Sequence, residues 1–371
     1  MDILLDFLPK DEQVPLKLRA LYESYGYRKY RMGKFEPYDI YVENKHFLKS
    51  EGIITFTDAG GRLMALKPDV TISIVKNVAP EVIMQKLYYN DNVFRLEQHS
   101  GEYREISQIG LEYIGADTGY AEAEVIGLAI DSLSIISDNF MLDLSHMGYI
   151  SGLISALELN SKQSDVILSM LKEKNLGGIE MLSAEFNLAP RQREALLGIA
   201  GICDIPETAL KEAESFVLCK EMSAALDELT ELSSALSAID KQENVRLDFS
   251  VINDLDYYNG IVFRGYVREA ARAVLAGGRY DNLLRRFNKP QPALGFAIYL
   301  SDLDRAFHKK SEFDVDVLLV YGDSSPDQVA EKMHQLVADG VSAVAVKSIS
   351  NEIRAKQIIN LEISGEVNDN A

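Results

Sequence analysis

Apolar positions along this 371-residue chain change their spacing several times, and each change marks a predicted element. Val14, Leu18, Leu21, Tyr22 and Tyr25 recur at helical spacing, which predicts an amphipathic helix over 11–25 with Gly26 as its C-cap. A strand is expected at 27–32. Residues 53–58 and 62–66 alternate around Ala59-Gly60-Gly61, a hairpin pattern in which glycine supplies the positive φ of the turn. Lys67-Pro68-Asp69-Val70-Thr71 then opens a helix to about Val78, because proline and aspartate suit a first turn. Two strands are predicted at 85–97 and 105–114 around a polar loop at 98–104, followed by a helix at 118–136.

From 153 to 236 the chain is rich in Leu, Ala, Glu and Lys with helical periodicity and little strand signal. Strands return at 245–251, 260–266 and 273–275; the glycine pair Gly277-Gly278 that follows would alone most often be a turn, and takes its value from its position before Arg279-Tyr280-Asp281. The tail, 313–347, reads as a separate β-α-β unit. Its apolar strands lie at 315–320 and 341–346, and Ser325-Pro326-Asp327 starts the helix between them. The pattern predicts an α+β fold: a mainly antiparallel sheet core flanked by helices over 1–311, a helical insertion at about 153–240, and a small C-terminal α/β unit at 312–371.

Composition narrows the choice of partners. Apolar and charged fractions of 47% and 26% are ordinary for a globular chain, but a net charge of −19 is not. Nucleic-acid binders displace counterions with basic surface, so this balance argues against tRNA as a partner. Cys203 and Cys219 are the two cysteines, which suits a reducing cytoplasm, and no metal-ligand spacing links them to the five histidines. The N-terminal Met1-Asp2-Ile3-Leu4-Leu5-Asp6 lacks the basic region of a signal peptide, and no apolar run is long enough to span a bilayer. His99 and His146 have no serine or cysteine partner in view and read as ordinary polar residues.

Three segments carry the chemistry. Phe94-Arg95-Leu96-Glu97 leads to Gly101-Glu102-Tyr103-Arg104-Glu105-Ile106-Ser107-Gln108-Ile109-Gly110-Leu111-Glu112; then come Asn253-Asp254-Leu255-Asp256-Tyr257-Tyr258-Asn259-Gly260 and Ala276-Gly277-Gly278-Arg279-Tyr280-Asp281-Asn282-Leu283-Leu284. In that order they resemble the histidine-binding and ATP-binding segments of histidyl-tRNA synthetases. The resemblance runs from residue 1 to about 310 and continues weakly into the tail, which looks like a truncated anticodon-binding domain. It implies the class II aminoacyl-tRNA synthetase core, a homodimer formed through the N-terminal helix and strand, and no cofactor.

The resemblance also implies a histidine pocket at Asp69, Thr71, Gln108, Glu112, Tyr258 and Tyr280. Carboxylates there would pair with an ammonium, and neutral Gln and Tyr would satisfy ring nitrogens and the carboxylate. Taken singly, Asp69 reads as a helix cap and the tyrosines as core. Gln108 and Glu112 are an even number apart, so they share one face of a strand.

The phosphate side departs from the family. An arginine is expected where Asn253 stands, and a second at Asp302, at the end of Gly295-Phe296-Ala297-Ile298-Tyr299-Leu300-Ser301-Asp302. Arg95 remains where the family contacts the α-phosphate. Transition states with spreading negative charge need fixed cations, so amino-acid activation is not expected and no catalytic residue is assigned. The pattern resembles the regulatory subunits of ATP phosphoribosyltransferase, synthetase paralogues that serve the first step of histidine biosynthesis and its feedback by histidine. That implies a short-form ATP phosphoribosyltransferase catalytic subunit as partner in a hetero-oligomer. A divergent active histidyl-tRNA synthetase and a synthetase-like sensor module are the alternatives.

Overall fold

The structure is a computed structural model that describes residues 8–42, 52–79, 81, 83–96, 101–115, 118–253, 257–307, 313–349 and 352–361. Glu97, His99 and the 254–256 part of the second chemical segment lie outside these residues. Lys10–Ala306 form one compact unit, and a second holds the described residues from Phe307 onward.

The first unit begins with α1 (Lys10–Ser24), β1 (Arg28–Lys29), β2 (Phe35–Pro37), α2 (Asp39–Val42), β3 (Thr55–Thr57), β4 (Leu63–Leu66) and α3 (Thr71–Asn77). The long strands β5 (Gln85–Leu96) and β6 (Tyr103–Ile114) follow, then α4 (Thr118–Ile136) and β7 (Phe140–His146). A helical run comprises α5 (Met147–Ala156), α6 (Ser161–Lys172), α7 (Leu176–Glu185), α8 (Pro190–Gly201), α9 (Pro206–Ser215) and α10 (Lys220–Ser237), with the short β8 (Cys203–Asp204) inside it. The unit closes with β9 (Val245–Asp248), β10 (Ile261–Val267), β11 (Leu275–Arg279), α11 (Asp281–Arg286), β12 (Ala293–Tyr299) and α12 (Leu300–Phe307).

Nine strands form one sheet in the order β1-β5-β6-β12-β11-β10-β7-β9-β8. Its pairs are antiparallel except β1 with β5 and β7 with β9, so the expected α+β class and mainly antiparallel core are present. Strands β2, β4 and β3 form a separate small sheet. The second unit contains β13 (Val315–Val320), α13 (Pro326–Ala338), β14 (Ala343–Val346) and β15 (Ala355–Asn360), with all strands parallel in the order β14-β13-β15.

One face of the large sheet is covered by α1 and α4. Val14, Leu18 and Tyr22 of α1 are buried, and the Tyr22 hydroxyl lies 3.0 Å from Ser132 Oγ on α4. Leu133 of α4 packs so closely on β10 that a Cβ on Gly265 would lie 2.8 Å from its Cδ1. The opposite face carries an apolar cluster built from α3, α11 and the strands beneath, including Ile72, Ile74, Tyr89, Tyr280 and Leu283. The candidate site opens beside this cluster.

Several local expectations change. The first helix ends at Ser24, and Tyr25 is exposed rather than on its buried face. The strand expected over 27–32 is reduced to Arg28–Lys29, because only these residues pair with β5. Tyr103 and Arg104, expected in a loop, extend β6. β7 and β15 were not predicted, and the helical run begins at Met147, not 153. The strand expected at 273–275 is Leu275–Arg279, so Gly277 and Gly278 lie inside it. Both are paired there with β10 and β12. Their lack of side chains admits neighbours: a Cβ on Gly278 would lie 2.7 Å from the Tyr258 ring.

Gly295 on β12 shows the same constraint more sharply. A Cβ there would sit 1.9 Å from Glu112 Oε2 and 2.4 Å from the Leu111 carbonyl oxygen. The Gly295→Ala variant is therefore expected to lose about 1–3 kcal/mol of stability through overpacking, read as a lower urea midpoint at an unchanged m-value. A wild-type midpoint would show that this close approach is not needed for folding.

Candidate functional site

The sequence brings together residues far apart in the chain at one place on the open face of the sheet. The loop after β4 turns into α3 and presents Asp69 and Thr71. Strand β6 presents Gln108 and Glu112, both on the same side as expected for residues four apart. The 257–260 segment brings Tyr258, and the corner between β11 and α11 brings Tyr280. All six predicted residues, together with Arg95 of β5, line a single cavity of about 70 Å³.

Glu112 is the deepest polar group, only 2% exposed. Thr71 Oγ1 donates to its Oε1 at 2.6 Å, and the Tyr280 hydroxyl donates to its Oε2. Burial pushes the Glu112 carboxyl up to about 8, with Asp69 adding to the rise and the two hydroxyl bonds opposing it. Removal of water outweighs two hydrogen bonds to neutral donors. Asp69 sits nearer the mouth. Its Oδ1 accepts from Ile72 N at 2.9 Å, so it does cap α3, and its Oδ2 pairs with Arg95 Nη2 at 3.0 Å. Arg95 Nε also donates to the Pro68 carbonyl at 2.6 Å. Gln108 is 3% exposed, and its amide makes no hydrogen bond to the other described residues.

The walls are aromatic. Tyr257 tilts over Tyr258 with ring centroids 4.5 Å apart and reaches Tyr280 at 5.9 Å. Burial holds all three phenols well above their ordinary range, so they act as neutral donors and acceptors. The expected six-residue pocket left out Tyr89, Tyr257 and Tyr299, which also line the cavity. Tyr257 had a signal in its position beside Tyr258. Tyr89 had none until the β5–β6 register placed it opposite Gly110.

A family model described as histidyl-tRNA synthetase matches residues 1–303. The chain belongs to the histidyl-tRNA synthetase family. Within it, the chain is similar to proteins named ATP phosphoribosyltransferase regulatory subunit. One from Bacillus cereus (strain G9842) is 27% identical over 333 residues, covering 86% of this chain and 78% of the relative. Another, from Alkaliphilus metalliredigens, is 27% identical over 326 residues, covering 85% and 82%. A crystal structure from Bacillus halodurans, described as an ATP phosphoribosyltransferase regulatory subunit/histidyl-tRNA synthetase, superposes with a TM-score of 0.76 at 25% identity, covering 95% of this chain and 93% of that one. Histidyl-tRNA synthetase from Nostoc sp. PCC 7120 shares the fold, with a TM-score of 0.70 at 17% identity and coverage of 92% and 83%.

At the two positions where the resemblance raised an expectation of arginine, other side chains make other contacts. Asn253, 8% exposed, accepts a 3.1 Å hydrogen bond from Arg264 Nη2 on β10. Asp302, in the first turn of α12, faces Arg272 at 3.6 Å. Tyr299 also lines the cavity. Arg95 is engaged by Asp69. Among the described residues no group of three His, Cys, Asp or Glu is arranged to hold a metal, and no helix is long and apolar enough to cross a membrane. His146 is buried and structural: its Nδ1 accepts from Gly148 N at the start of α5, and its Nε2 lies 3.0 Å from Glu228 Oε2.

The raised Glu112 carboxyl makes a stability prediction. In the unfolded chain it loses its proton near the ordinary carboxylate value, while the folded protein keeps it until about pH 8. Between these values folding takes up a proton, so this group's contribution falls as pH rises. Glu112→Gln removes that linkage. The ligand-free variant should melt above wild type, with the gap widening from about pH 5 to pH 8. A gap independent of pH would place the Glu112 proton elsewhere.

Proposed function

We propose that this chain is the non-catalytic regulatory subunit of an ATP phosphoribosyltransferase, acting with a short-form catalytic subunit in histidine biosynthesis and carrying a histidine site for its feedback. One contrast carries the reading. The six expected amino-acid-binding residues line one cavity, while the two positions where the family resemblance leads one to expect arginines, one assisting transfer to the adenylate and one holding the triphosphate, carry Asn253 and Asp302. An aspartate near a triphosphate repels it, and the remaining Arg95 is already tied to Asp69. The relatives named as regulatory subunits support the same conclusion. So does the Thermotoga maritima ATP phosphoribosyl transferase complex, one chain of which has this fold at a TM-score of 0.62 and 21% identity. We place the assembly in the cytoplasm, as a homodimer within a hetero-oligomer, without tRNA.

Burial orders the ligand within the pocket. Taking a charge pair out of water costs more than taking out a neutral ring. The imidazole therefore occupies the deep end, against Glu112, Tyr280 and Tyr258, and the ammonium meets Asp69 and Thr71 near the mouth. Histidine then regulates by binding one state of the assembly better than another.

The decisive assay mixes the purified chain with a short catalytic subunit and follows ATP phosphoribosylation. A complex is expected, with activity that depends on this chain and falls when histidine is added. Absence of both complex and effect would remove the regulatory role. Histidine-dependent exchange of pyrophosphate into ATP by the chain alone would restore the synthetase alternative.

Histidine binding should also depend on pH. The free pocket holds its Glu112 proton up to about pH 8, and a free imidazole gains one below about 6.5. One proton shared between the two serves the complex. Affinity should thus peak between these values, weakening below them by proton release and above them by proton uptake, up to about tenfold per pH unit. Calorimetry over this range in wild type and Glu112→Gln tests it: the variant should lose the part of the alkaline limb that belongs to Glu112. Parallel profiles would move the ring away from Glu112.

A further inference from the structure

Arg264 stands out as a cation that the fold leaves underused. In register, β10 sets it opposite Ala276 of β11 and Asp143 of β7. Directly opposed residues of antiparallel strands share a face. Ala276 lines the pocket, so Arg264 emerges on the pocket's face, one strand beyond it. Its cross-strand neighbour Asp143 is not available as a partner: Arg246 holds it through Nε at 3.0 Å and Nη2 at 2.9 Å.

Among the described residues Arg264 has no carboxylate within ion-pairing distance. It donates only through Nη2, to Asn253 Oδ1 at 3.1 Å and to the Ile252 carbonyl at 3.4 Å. These bonds fix the guanidinium and leave Nε and Nη1 without an acceptor among the described residues. A half-buried guanidinium with donors to spare matches a planar carboxylate. The charge reaches the pocket: burial raises the phenol of half-buried Tyr299, which lines it, and both Arg95 and Arg264 pull it lower. Arg95 is already committed to Asp69 and the Pro68 carbonyl. A zwitterion in this pocket would find carboxylates for its ammonium, and Arg264 is the cation left for its other end.

We propose that Arg264, anchored by Asn253, binds the α-carboxylate of the amino acid held in the pocket. This rests on the reading of the pocket as a histidine site. The test is calorimetry with L-histidine and with L-histidinol, which carries a hydroxymethyl group in place of the carboxylate. The proteins are wild type, Arg264→Ala and Arg264→Gln, the last keeping a donor for Asn253 if the alanine variant does not fold. Wild type should prefer histidine over histidinol by on the order of 30-fold or more. In the variants histidine should weaken by a similar factor while histidinol changes less than about twofold, so the preference collapses. Retained preference in a folded variant would overturn the assignment, as would equal losses for both ligands, which would mark a structural role. Wild type that binds neither ligand would instead overturn the histidine-site reading beneath it.

Discussion

The carboxyl group of Glu112, buried between two hydroxyls, is the constraint on which the site depends. Thr71 reaches it from the start of α3, Tyr280 from the β11–α11 corner, and the bare backbone of Gly295 lies beneath it. Four segments separated by up to about two hundred residues in sequence therefore meet on one side chain. Burial pushes this carboxyl up to about 8, which makes the floor of the pocket neutral below that pH. That neutrality lets the group remain buried without a cation.

A second network stands behind the pocket and links it to the helical run. Arg279, next to Tyr280 in the chain, lies between Asp281 at 2.9 Å and Glu122 of α4 at 3.3 Å. Asp281 in turn accepts from Asn259 Nδ2 at 3.1 Å and from Ala293 N at 2.9 Å, so it fixes the loop that carries Tyr257 and Tyr258. Burial raises Glu122 to about 7, while its partner Arg279 pulls the other way. Glu228 of α10 feels both Arg279 and His146, which starts α5. The aromatic wall of the pocket and the first and last helices of the helical run thus share one set of charges.

What the sequence revealed and what it hid follow from the range of the forces involved. The hairpin around Gly60-Gly61 was legible because Asp58 and glycine make that turn locally: Asp58 Oδ1 accepts from both Gly60 N and Arg62 N. α4 was legible from its periodicity at both ends. The pocket residues were legible only as an ordered set, since each had a local explanation, and Asp69 indeed serves as a cap and a pocket wall at once. β7 was missed because Phe140–His146 sits between two strands distant in sequence, β9 and β10, and is defined by those pairings. Gly277-Gly278 looked like a turn because glycine weakens a strand on its own; only the packing of Tyr258 and Phe263 explains it inside β11. Arg264 was overlooked for the same reason, since its place beside Asn253 exists only once β10 and the 251–253 segment are folded together.

On the proposed function, an exchange of charge on the phosphate side changes what binding energy is available for. In an enzyme, interactions raise the rate only when they grow stronger in the transition state. On that proposal, a site that keeps its amino-acid contacts but holds Asn253 and Asp302 on the side expected to face phosphates has little to strengthen along that path. Its binding energy is then expressed as a difference between conformations, which is the currency of regulation. The demands on the pocket change accordingly. Affinity must respond to which state the assembly occupies, so the contacts that matter most are those joined to elements able to move. Glu112 sits on the central sheet and is a poor candidate for motion. Tyr280 and the 257–259 loop are better placed, because they are held by Arg279 and Asp281, and through Glu122 and Glu228 by helices outside the sheet. On the proposed function, the aromatic wall is where ligand and helical run compete for the same geometry.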